Sequence, residues 1–137
     1  MCNESRLQHL QHPEAPAIYE AIRDYAGADP DVHLFTDAVR VGAREVNAFQ
    51  SASDVILQRS TREGFGLTVT EAMWKARPVV ATPVGGITVQ TQHGQNGYLV
   101  ESADGCAEYI VQLVTDNQLT KDIGAAARRS VRAPIIA

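Results

Sequence analysis

The stretch RSTREGFGLTVTEAMWKA, residues 59–76, decides how the rest of the chain is read. It follows directly on DVILQ (54–58), where three apolar residues run together, the pattern of a strand covered on both faces. From Leu67 onward Val69, Ala72, Met73 and Ala76 recur at helical spacing, and Pro78 ends that helix before VVA (79–81) supplies another short strand. Between the first strand and the helix stand Gly64 and Gly66. Glycines there let the backbone come close to a ligand, and the free amides at a helix start, near Leu67 and Thr68, attract an anion. Glu63 and Glu71 flank the glycines at E-x(7)-E spacing and are expected to face one crevice at the carboxyl end of the strand. Carboxylates accept hydrogen bonds from the vicinal hydroxyls of sugars and riboses, so paired acids around a phosphate cradle suit a nucleotide sugar.

Outward from this motif the same alternation continues. Ile18, Ile22 and Tyr25 form a helical stripe over 13–26, VHLFT (32–36) reads as a strand, and 43–52 is helical in composition. Downstream come the turn PVGG (83–86), a short helix over 88–93, a strand over 98–100, and helices over 105–115 and 119–131. Strands that alternate with helices give an α/β fold, a Rossmann-like doubly wound parallel sheet of about four strands with flanking helices.

The bulk properties limit the function classes. A chain of 137 residues holds one domain, and 45% hydrophobic with 20% charged residues is ordinary globular usage. With 12 Lys plus Arg against 16 Asp plus Glu there is no cationic field for a nucleic acid or an anionic membrane, so neither is expected as a partner. The two cysteines, Cys2 and Cys106, have neither zinc nor redox spacing. With no signal-peptide core and no apolar run near the roughly 18 residues of a membrane span, a cytoplasmic location is expected.

The residues at 63–71, followed by EAM, PVV and VGG, resemble the large family of retaining glycosyltransferases built from two Rossmann-like domains. Within that family, AREVNAFQSASDVILQRSTREGFGLTVTEAMWKARPVV resembles the glycosyltransferring trehalose synthases. The close match covers about 43–100 and a looser one reaches Val131. The resemblance implies binding of a nucleotide diphosphate glucose and glucosyl transfer to glucose with retention. Glu63 is then the catalytic-site residue, touching donor-sugar hydroxyls. The backbone of Gly64, Phe65 and Gly66 lines the glucose and diphosphate, the amides of Leu67 and Thr68 meet phosphate, and Glu71 holds the ribose. Front-face displacement in such enzymes needs neither a carboxylate nucleophile nor a metal, and no cofactor is expected beyond the donor substrate.

Simpler readings stand beside these. Thr68-x-x-Glu71 is also the spacing of a capping box, Glu63 alone would be a solvated loop acid, and Gly85 and Gly86 read either as a tight turn or as a close approach to the ligand. Trp74 reads as helix packing, Lys75 and Arg77 as surface charge, and Arg62 either assists the diphosphate or is solvated. His9, His12, His33 and His93 have no clustered acids that would make a metal site.

Measured against the family, residues 1–12 read as a polar leader, 13–132 as a partial Rossmann-like C-terminal domain, and 133–137 as a tail. By the resemblance an acceptor-binding N-terminal domain and a strand carrying an Arg and a Lys for the diphosphate would precede these residues, so a fragment of such an enzyme is expected. Two strands that belong between VHLFT and DVILQ are expected to be missing. Either those two strands pair directly or a homodimer fills the gap. A separate N-terminal glycosyltransferase domain is the partner expected for turnover. A stand-alone nucleotide-sugar binding module and an inactive remnant are the alternatives. Ala76 stands where relatives usually carry Gly.

Overall fold

The computed structural model describes residues 15–36 and 41–132. The chain divides into two compact units, Met1–Val46 and Asn47–Ala137. In the first, α1 (Ala15–Ala26) takes Pro16 into its first turn, where the missing N–H costs nothing, and ends at Gly27, whose φ of 59° lets its amide return to Arg23 O at 3.0 Å. None of its residues is buried, and the stripe Ile18, Ile22, Tyr25 is exposed. The strand expected at VHLFT does not form: residues 32–36 follow a turn closed by Val32 N on Asp29 O and join no ladder. Direct pairing of that run with DVILQ is therefore not found. With only Val32, Leu34 and Phe35 apolar, the run becomes a strand only where a neighbouring strand joins it in a ladder, and among the described residues the sheet is made of β1, β2 and β3 alone.

The helix α2 (Ala43–Ala52) runs from the end of the first unit into the second. Its start is closed by Glu45, whose Oε2 accepts the Gly42 amide at 2.9 Å. The second unit then reads β1 (Ile56–Gln58), α3 (Leu67–Trp74), β2 (Val79–Ala81), α4 (Ile87–Gln90), β3 (Tyr98–Leu99), α5 (Ala103–Thr115) and α6 (Asn117–Arg132). The sheet has three parallel strands in the order β1-β2-β3, one fewer than expected, with Ile56 opposite Val79 and Val80 opposite Tyr98. The α/β class holds, with each strand joined to its parallel neighbour through a helix.

All three residues of β2 are fully buried, and their alternation splits the core between two faces. Val79 and Ala81 pack with Val69, Ala72 and Met73 of α3, while Val80 packs with Cys106 and Leu113 of α5. The long helix α6 serves both sides, Ala127 belonging to the first cluster and Ile123 to the second. Ser102 caps α5 by accepting the Gly105 amide at 3.0 Å, and Asp116 Oδ1 caps α6 through the Leu119 amide at 3.0 Å. On the α5 side Tyr98 stacks on Tyr109 at 4.2 Å, and burial, with Tyr109 beside it, raises the Tyr98 phenol above its ordinary pKa.

The end of α3 stores strain. Arg77 N bonds to Ala72 O and Ala76 N to Met73 O, both at 3.0 Å, which is the Schellman closure that calls for glycine at its left-handed position. Ala76 occupies it at φ 56°. A left-handed L-residue costs about 1–2 kcal/mol, partly offset by the greater freedom of an unfolded glycine. Ala76→Gly is therefore expected to stabilise the chain by about 1 kcal/mol, seen as a higher urea midpoint; a lower midpoint refutes the strain.

Candidate functional site

The segment between β1 and α3 carries the expected residues. Gly66 is the N-cap of α3 at φ 83°, with no side-chain cap bond, and its carbonyl accepts Val69 N at 3.0 Å and Thr70 N at 3.3 Å. The left-handed conformation favours glycine, and the space is tight, since a Cβ at this position would lie 3.0 Å from Ile87 Cγ1. Gly64 differs: a Cβ there meets nothing within 4 Å, and the loop beside it is open. Among the described residues the amides of Phe65, Gly66, Leu67 and Thr68 donate to no protein acceptor. Phe65 and Leu67 are 58% and 67% exposed.

The capping-box reading of Thr68-x-x-Glu71 is corrected. With Gly66 as the cap, Thr68 lies inside the helix and Glu71 falls in its second turn, too far along to reach back to the helix start. Instead Glu71 Oε2 accepts Gln50 Nε2 from α2 at 3.1 Å. Gln50 is itself buried and oriented by Lys75, whose Nζ donates to its Oε1 at 2.7 Å. Glu63 is held separately: its Oε1 accepts the Gly64 amide at 3.1 Å, and its Oε2 lies 3.4 Å from the Ser60 hydroxyl.

Lys75 and Arg77 are not free surface charges. Both are half-buried, and Arg77 donates from Nη2 to Ser51 O, so these two side chains join α3 to α2. Arg62 is exposed on the loop, and Trp74 is half exposed with the Arg132 guanidinium 5.4 Å over its ring. His93 is taken up by the Leu99 backbone and the Tyr109 hydroxyl, each at 3.1 Å; His9 and His12 lie outside the described residues.

Three features escaped sequence reasoning. Gly85 and Gly86 do form a turn, with φ 51° at Gly85, but they also press against the loop: a Cβ on Gly85 would sit 1.7 Å from Glu63 O, and one on Gly86 2.5 Å from Phe65 O. Gln90 of α4 reaches the same loop, donating from Nε2 to Phe65 O. Arg59 spans the top of the sheet from β1, donating to Val100 O at 2.7 Å and Glu101 O at 2.8 Å. Tandem glycines after a buried strand were the one visible signal, since a turn alone needs only one.

Free amides at a helix opening are donors that suit an anion, and a carboxylate on the adjoining loop is an acceptor that suits hydroxyl groups. Comparison with known proteins agrees with this architecture. Residues 32–130 match the family model described as "Glycosyl transferases group 1". The chain is 49% identical over 120 residues to a trehalose synthase of Pyrococcus horikoshii, covering 88% of this chain and 29% of that protein. It is similar to the C-terminal domain of LpcC, a glycosyl transferase group 1 family protein of Francisella tularensis (27% identity, TM-score 0.69, 87% of this chain and 61% of that one). It also resembles Anabaena HepE in complex with UDP and glucose (26% identity, TM-score 0.74, 86% and 32%). No helix among the described residues is long and apolar enough to cross a membrane. The chain spans about three tenths of the length of the trehalose synthase it matches, and it belongs to the group 1 glycosyl transferases.

Proposed function

We propose that this chain is the donor-binding portion of a retaining, trehalose-synthase-like glycosyltransferase, taking a nucleotide diphosphate glucose. The observation that carries the reading is the opening of α3: Gly66 in a left-handed turn, consecutive amides without a protein acceptor, and Glu63 on the same loop. The diphosphate is neutralised by these amides and by the positive end of α3, and Glu63 accepts hydrogen bonds from glucose hydroxyls. Glu71 takes the ribose hydroxyls by sharing or releasing Gln50. Likeness to HepE, solved with UDP and glucose, supports this ligand class. No cofactor beyond the donor takes part, and the cytoplasm, where nucleotide sugars are made, is the proposed location.

Glucosyl transfer to glucose, with the departing phosphate deprotonating the acceptor, is the reaction proposed for a longer protein, since this chain spans 29% of the trehalose synthase it matches. A separate N-terminal glycosyltransferase domain would supply the acceptor pocket, and a homodimer is the other assembly proposed. Binding without turnover is the second reading, and trehalose formation on mixing with a separately expressed N-terminal half decides between them.

Calorimetric titration with UDP-, ADP- and GDP-glucose tests donor binding. Glu63→Gln and Glu71→Gln each remove charge-assisted hydrogen bonds worth about 1.5–3 kcal/mol, so affinity is expected to fall by roughly ten- to a hundredfold with the melting temperature unchanged. Wild-type affinity in both variants would sink the assignment.

A further inference from the structure

We propose that Gln90 is a positioning residue that aims the backbone amides of Phe65 and Gly66 at the donor; the inference rests on the donor-site reading of the loop. Two successive carbonyls of the loop are held by α4 and the turn before it. Gly64 O accepts the Gly86 amide at 2.7 Å, and Phe65 O accepts Gln90 Nε2. The C=O and N–H of one trans peptide plane point in opposite directions. With Gly64 O and Phe65 O turned toward α4, the N–H groups of Phe65 and Gly66 are turned away from it. Neither amide has a protein acceptor among the described residues.

The orientation of the Gln90 amide is fixed in turn. Thr70 Oγ1 donates to Gln90 Oε1 at 2.5 Å, so the carbonyl end of the side chain meets α3 and the NH2 end meets the loop. The α4 backbone beneath it is anchored by Ile87, fully buried in the core. The Gln90 side chain also lies against Gly66, 3.5 Å from where a Cβ would stand. Thr70, Gln90 and Phe65 O thus form a short chain from the first turns of α3 back to the loop that precedes it. Without Gln90 the Phe65 peptide plane is free to rotate, and the Gly66 amide is no longer aimed.

The test uses the full chain and two readouts. Affinity for UDP-glucose and ADP-glucose is measured by calorimetry, and backbone hydrogen exchange by mass spectrometry. Gln90→Leu is expected to weaken binding by about tenfold, the effect of one lost hydrogen bond with an unsatisfied partner, with exchange faster across residues 63–68 and unchanged in β2. Gln90→Glu keeps the acceptor for Thr70 but sets an oxygen against Phe65 O, and is expected to be at least as damaging. Thr70→Val, which leaves the Gln90 amide unoriented, falls between. Exchange over 63–68 that is the same in Gln90→Leu as in the wild type overturns the proposal. So does a loss of affinity that merely tracks a lowered melting temperature across the three variants. A wild-type chain that binds neither nucleotide sugar refutes the donor reading itself, and the exchange comparison still decides whether Gln90 holds the loop.

Discussion

Gly124→Ala is expected to lower the stability of this chain by about 3 kcal/mol, although the same exchange in a solvent-facing helix would raise it by about 1 kcal/mol. The sign reverses because α6 crosses the end of α3 with backbone on backbone. A Cβ on Gly124 would stand 2.1 Å from Ala76 O and 2.9 Å from Ala76 C. Neither atom can swing aside as a side chain would, since Ala76 closes α3 by its own hydrogen bond to Met73. Relief requires α6 to move outward, which opens the core at Met73 and Ala127, both fully buried. Against a total stability of about 5–15 kcal/mol this is a large fraction. In urea the midpoint should fall by roughly 1–3 M with an unaltered slope. A midpoint at or above that of the wild type would show that the α3–α6 crossing is not as close as described.

The second large effect is on the loop. Gly85→Ala places a Cβ 1.7 Å from Glu63 O in a residue at φ 51°, so the turn and the loop cannot both keep their positions. Val84 and Ile87 on either side of the turn pack in the core with Val79 and Ala81, whereas Gly64 and Phe65 are exposed, so the loop is the side that gives way. The melting temperature should drop by roughly 3–10 °C, about 1–2 kcal/mol for a domain of this size. Nucleotide-sugar affinity, which depends on where Glu63 and its following amides stand, should fall by at least about a hundredfold, the scale on which sub-ångström placement matters in a preorganised site. Gly64→Ala is the informative companion. Its Cβ meets nothing within 4 Å, so the free protein should be unaffected, and a loss of binding there reports the ligand's own approach to the backbone. Retained affinity in Gly85→Ala would detach the turn from the site.

The elements set by local pattern were legible. The helix over 43–52, the strand over 79–81 and the break at Pro78 appear as the periodicity and the proline demand. What escaped sequence reasoning depends on partners distant in the chain. VHLFT has the composition of a buried strand, but a strand exists only in a ladder, and composition does not carry its neighbour. Thr68 and Glu71 have capping-box spacing, yet the left-handed Gly66 starts the helix early and puts both inside it. Lys75 reads as surface charge until Gln50, 25 residues earlier in the chain, is brought beneath it. At the site, the residue types were visible in EGFGL, whereas the Gly85–Gly86 buttress and Gln90 were not, because their roles consist wholly of contact with that loop.

The contacts that shape the loop have an order in time as well as in space. Phe65 and Gln90 are 25 residues apart, Thr70 and Gln90 only 20, and the segment between contains β2, which anchors both ends. During synthesis from the N-terminus this whole group clears the ribosome before α6 does. The loop can therefore take its shape while the faces of Val69 and Met73 that α6 will cover are still bare. A nascent chain paused at that point presents the 63–68 loop beside an uncovered apolar surface. The sticky interval in its biogenesis ends only when Gly124 reaches the Ala76 carbonyl.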